Sequence, residues 1–71
     1  MPKLFSSRHL VNILIANGFV FVSQKGSHGK FKKSGKASFT VIVPMNRKEI
    51  PYGTFRSIVR QSNLNEADFE K

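Results

Sequence analysis

Apolar positions along this 71-residue chain change period from element to element, and the changes mark out its parts. Leu10, Val11, Ile13, Leu14 and Ile15 recur at helical spacing and cover a broad apolar face, with His9 and Asn12 on the other side. Ser6 or Ser7 can cap this helix, and Gly18 stops it after Asn17. "FVFVSQK" at 19–25 is rich in β-branched and aromatic residues and reads as a strand. "GSHG" reads as a turn, "KFKK" at 30–33 opens a second strand, and "SGKA" turns again. The third strand, "SFTVIVP" at 38–44, alternates with Phe39, Val41 and Val43 on one face, and Pro44 ends it. After the loop "MNRKEIPYG", a helix from about Thr54 to Ser62 puts Phe55, Ile58 and Val59 on one face. "NLNEADFEK" predicts a third, short helix with Asn65 as cap and Asp68 at its third position.

The order α-β-β-β-α predicts a two-layer α+β domain. Short turns join neighbouring strands into an antiparallel three-stranded sheet, and two amphipathic helices cover one face of it. The other face is left open. A single domain over 1–71 follows from the length and from the absence of any linker, repeat or low-complexity run. Phe19 or Phe21, Phe39 and Phe55 lie on apolar faces and predict the core. Phe31, between Lys30 and Lys32, has two readings: a core residue or a platform for stacking a base.

Composition narrows the function. A chain of this size buries only a modest core. It has no cysteine, so disulfides and thiolate metal sites are excluded, and two histidines with four carboxylates argue against a dedicated metal cage. No metal and no cofactor are expected. No segment is long and apolar enough to span a bilayer, so no membrane partner is expected, and "MPKLFSS" lacks a signal-peptide core, which predicts a cytoplasmic protein. The net charge is +8, and it is lopsided: residues 1–36 carry seven cations and no acid. That balance points to a polyanionic partner.

The densest charge lies in "QKGSHGKFKK", where His28 stands between glycines among four lysines. RNA carries its own nucleophile, the 2′-hydroxyl, and cleavage through it calls for a proton-transfer group that works near neutral pH. Imidazole is the side chain nearest to that requirement. Lys25, Lys30, Lys32 and Lys33 can stabilise charge growing on a phosphate, Gly26 and Gly29 let the backbone approach it, and Ser27 between them is counted with the phosphate-binding residues. The other reading is a solvated histidine in an ordinary basic turn. The lysines themselves read as a phosphate footprint, or as charge that keeps sheet edges from pairing; the net +8 favours the footprint. Arg56 and Arg60, four apart on one edge of the second helix, can reach RNA, an acidic partner, or neither. His9 reads as a plain surface residue.

Taken together, "GFVFVSQKGSHGKFKK", "VIVP" and "IPYGTFRSIVRQSNL" resemble the HicA family of toxins from bacterial toxin–antitoxin modules, over about Ser6 to Phe69. The combination carries the resemblance: Gly18-Phe19 after the first helix, Gly26-Ser27-His28, Pro44 closing the third strand, and Pro51-x-Gly53-Thr54 opening the second helix. It implies a fold similar to the double-stranded-RNA-binding domain. It implies a metal-independent mRNA interferase that cuts single-stranded mRNA, inhibits translation and arrests growth, with His28 as the active-site histidine. It also implies a HicB antitoxin that covers the site, and contact with DNA only through the toxin–antitoxin complex. Many members carry a second histidine just after the Val-Pro of the third strand, whereas this chain has Asn46 there. Two further hypotheses stand beside this one: a non-catalytic RNA-binding module, and a protein that binds an acidic partner through the basic face and the Arg56/Arg60 edge.

Overall fold

The computed structural model describes residues 3–71; Met1 and Pro2, which open the "MPKLFSS" segment, lie outside the described residues. The order is α1 (Ser7–Ala16), β1 (Val20–Lys25), β2 (His28–Lys33), β3 (Phe39–Pro44), α2 (Tyr52–Ser62) and a single 3₁₀ turn (Glu66–Phe69). The three strands form one antiparallel sheet in sequence order. This is the predicted α+β architecture, with the order of a double-stranded-RNA-binding domain.

Each helix boundary has a local cause. Ser6 caps α1, its hydroxyl accepting from the His9 N–H at 3.1 Å. At the other end Gly18 takes φ +94°, its N–H reaches the Ile15 carbonyl, and the Phe19 N–H reaches that of Leu14. That pattern is a Schellman stop, and the buried pair Leu14 and Phe19 supplies its usual apolar contact. Helix α2 begins two residues earlier than the pattern of apolar positions suggests, with Pro51 before its first turn and Asn63 in the left-handed conformation after its last. In the 3₁₀ turn Asp68 accepts from the Asn65 N–H at 2.9 Å, as the predicted cap requires.

The core gathers Leu10, Leu14, Phe19, Phe31, Val41, Val43, Ile50, Phe55, Ile58 and Phe69. Phe31 is 1 % exposed, so it belongs to the core and is no base-stacking platform. Phe39 only flanks this core. Ile15, expected on the apolar face of α1, is exposed, because one step past the buried Leu14 turns it about 100° around the helix, off the side that faces the core. Ile50, in a segment that reads as loop, is fully buried, its N–H held by the Phe5 carbonyl at 2.7 Å.

The helices do not cover the whole inner face. Both pack over β3, and every residue of β1 is exposed. Phe19, entering β1, takes the core position, while Phe21 stays half exposed and leans edge-on against Phe31 at 5.5 Å. A register shift between Phe21 and Ser23 bends this edge strand, which discourages pairing with another chain. The opposite edge is covered differently: the outward-facing Ile42 N–H is taken by the Gln61 side chain at 3.1 Å.

His9 differs from its expected role. It is half buried, its ring stacked on Phe5 at 4.6 Å, and Nε2 donates to the Phe69 carbonyl. This ties the start of α1 to the last turn of the chain, 60 residues away. His9→Ala removes one hydrogen bond and one ring stack, and is expected to destabilise the fold by about 1–2 kcal/mol. Urea unfolding checks this, and RNA binding measured on the folded variant should be unchanged.

Candidate nucleic-acid interface and cleavage site

The hairpin carrying His28 is tighter than the sequence suggests. Its loop is only Gly26 and Ser27, so His28 is not in the turn but is the first residue of β2, paired with Lys25 on one side and Pro44 on the other. Gly26 has φ +59° and Ser27 does not share the positive φ, as a II′ turn with glycine first requires. The Gln24 side chain braces the loop by donating to the Gly26 carbonyl at 3.0 Å. A Cβ at Gly26 would meet nothing, so Gly26→Ala is purely a backbone test. It should cost about 1 kcal/mol, the penalty for a side chain in the left-handed region, read as a lower thermal midpoint.

Strand alternation sorts the candidate residues. His28, Lys30 and Lys32 are exposed and alternate with the buried Gly29 and Phe31, so they project from the open face of the sheet. Lys25 faces His28 directly across the hairpin and joins them. Successive cations on this row are roughly 7 Å apart along the strand. None of the four lysines of this segment forms an ion pair; the pairs among the described residues are Arg56–Glu66 and Lys71–Asp68.

The other candidates fall elsewhere. Lys33 is half buried on the helix side, its stem crossing Gly18 beyond the end of α1. There its charge suits the negative end of that helix. Gly29 also faces inward. A Cβ there would lie 3.0 Å from the Met45 sulfur and 3.3 Å from the Phe31 ring, so glycine lets Met45 close over the hairpin. Arg56 is paired with Glu66, which also accepts from the Tyr52 hydroxyl at 3.2 Å. Tyr52 and then Glu66 hold the Arg56 guanidinium above its already high ordinary pKa. Arg60 donates to the Ser57 hydroxyl at 3.3 Å. The structure therefore brings Lys25, His28, Lys30 and Lys32 together and sets Lys33, Arg56 and Arg60 apart from them.

Sequence reasoning missed the clamp behind His28. Ser7 is 3 % exposed; its hydroxyl donates to the Pro44 carbonyl at 2.5 Å and accepts from the Arg47 N–H at 3.0 Å. The Ser7 N–H also reaches the Arg47 carbonyl at 2.9 Å, and the Met45 N–H reaches the Ser27 carbonyl at 2.6 Å. The segment after β3 is thus pinned both to α1 and to the His28 hairpin. Asn46, in this segment, takes φ +60°. A serine beside another possible cap gives no sequence signal for bonds that span 37 and 40 residues.

Residues 7–64 match the family model described as HicA toxin of bacterial toxin–antitoxin. The chain belongs to the HicA toxin family. HicA toxins are mRNA interferases, neutralised by the HicB antitoxins with which they pair. No curated protein sequence matches the chain closely enough to add to this assignment. The matched span of this HicA toxin runs from the first residue of α1 to just past α2, and so includes the His28 hairpin and the Ser7 clamp. No helix among the described residues is long and apolar enough to cross a membrane.

Proposed function

We propose that this HicA toxin cleaves single-stranded mRNA at His28, using the RNA's own 2′-hydroxyl as nucleophile. The observation that carries this reading is the exposed imidazole in a row of unpaired cations, Lys25, Lys30 and Lys32, on the open sheet face. His28 takes the 2′-hydroxyl proton, O2′ attacks phosphorus, and the bond to the 5′-oxygen breaks. The products are a 2′,3′-cyclic phosphate and a 5′-hydroxyl, the latter protonated by water or a lysine ammonium. The lysines hold the flanking phosphates and offset the charge that grows on the reacting one. The chemistry needs no metal and takes place in the cytoplasm, where mRNA is found. An acidic HicB surface, covering the same face, stops it and is captured faster for its charge. Contact with operator DNA is left to the antitoxin.

Cleavage of a labelled single-stranded mRNA fragment in EDTA, by the native protein and by His28→Ala, tests this. Cutting by the native protein alone, with cyclic or 3′-phosphate ends, supports it. Cutting by both proteins removes His28 from the mechanism, and binding without cutting by either makes the domain a binding module. The lysine row has its own test. Replacing Lys30 and Lys32 by alanine should lower the slope of log affinity against log salt by about 1.4, at roughly 0.7 per phosphate on a single strand. An unchanged slope would move the phosphate contacts off the open face.

A further inference from the structure

A second basic surface lies around the corner from His28. It is a groove of about 570 Å³ between the start of α1 and the segment after β3, lined by Ser6, Arg8, Val11, Met45, Arg47 and Lys48 among others. Three of its lining residues are cations and none is an acid. Arg8, Arg47 and Lys48 are exposed, and none belongs to an ion pair among the described residues. The larger groove, beside Phe5, His9 and Tyr52, is mixed in charge: Glu66 and Glu70 line it together with Lys3, Lys48 and Lys71.

The groove is rigidly tied to the proposed cleavage site. Pro44, the cross-strand partner of His28, immediately precedes Met45, and Met45 both lines the groove and bonds to Ser27. Ser7 fixes the backbone of Arg47 from beneath, so the guanidinium rises from a held segment. His28 therefore sits between two unpaired cation tracks: the Lys30–Lys32 row on the open face, and this groove on the helix side of the same sheet end.

The geometry points to a bent path for the substrate. An RNA strand lies along the open face, presents one phosphate to His28, turns over the Ser27–Met45 corner, and places its next phosphates against Arg8, Arg47 and Lys48. This inference rests on the reading of His28 as the cleavage centre and assigns the groove to the strand on one side of the cut. Charge is the ground for choosing RNA as occupant, since three cations with no acid fit a phosphodiester chain. Val11 and Met45 add apolar surface against which a base can rest.

The test uses a ladder of 2′-O-methyl oligouridines, which cannot be cut through the 2′-oxygen, lengthened one nucleotide at a time. Anisotropy gives the affinity of each for the native protein and for an Arg8→Ala/Arg47→Ala variant. Both replaced side chains are exposed, and the Arg47 bonds to Ser7 are made by its backbone, so the variant keeps the fold. The native affinity should climb with length and then level off. The variant should bind the shortest members normally, level off earlier, bind the longest roughly tenfold more weakly, and show a salt slope lower by about 1.4. On cleavable RNA of the same lengths it should cut short substrates at the native rate and lose the gain from length.

Coincident ladders, or an equal loss at every length, would overturn the assignment. So would normal RNA binding joined to lost capture of the HicB antitoxin, which would give the groove to the protein partner. The two readings fail separately. A native protein that shows the length effect but cuts no RNA refutes the role of His28 and leaves the groove standing. Coincident ladders with normal cutting refute the groove alone.

Discussion

His28→Ala is expected to slow cleavage of single-stranded RNA by roughly a hundred- to ten-thousand-fold, the usual contribution of a positioned acid–base group. The affinity for uncut RNA should stay within about twofold, because the cations that hold phosphate remain. The fold should also be intact. His28 is exposed, and its strand pairing uses only backbone. A loss confined to turnover is what separates a proton-transfer role from a binding role. His28→Gln extends the test: it keeps a polar group of similar reach but cannot take a proton in this range, so it should be as inactive as alanine. If glutamine restores cutting, the side chain positions the RNA and does not transfer protons. In cells, expression of the native chain without HicB should arrest growth and expression of His28→Ala should not.

Phe31→Ala should have the largest effect on stability. Its ring is buried in the centre of the sheet, touching Phe21 and held under the Gly29 position, although lysines flank it in sequence. Truncating a buried phenylalanine costs about 3–5 kcal/mol. A domain of this length has a total stability of roughly 4–11 kcal/mol, at 0.05–0.15 kcal/mol per residue. The variant should therefore unfold at far lower urea concentration, or lose its cooperative transition. Phe21→Ala is the comparison. Half exposed and held by one edge-on contact, it should cost only about 1 kcal/mol. A stable Phe31→Ala that had lost RNA affinity would restore Phe31 as a stacking platform and contradict the packing.

Much of the local structure was legible because its causes are local. Gly18 ends α1 through a backbone conformation glycine adopts freely, Ser6 caps it, and the alternation of β3 shows which side is buried. Other readings erred where the deciding atom lies far along the chain. His9 looks polar on a helical wheel, yet the Phe69 carbonyl and the Phe5 ring give it a half-buried place. The motif around His28 was visible, but its partition was not. Only the register of β2 shows that Lys25, Lys30 and Lys32 share its face while Lys33 lies across Gly18. Arg56 looked available until the fold set Glu66 beside it.

The sequence by itself determined the order of elements, the basic character of the first half, and, through several short motifs in combination, the resemblance to the family. These rest on side-chain period, net charge and turn chemistry, which act between near neighbours. The tertiary structure alone decided which cations stand with His28 and which are spent on the fold. It also placed Arg8 and Arg47 in one groove, because the Ser7 hydroxyl joins segments that the chain separates by 40 residues. Contacts of that range depend on how helices and sheet pack as whole bodies, and no local pattern of residues encodes where they meet.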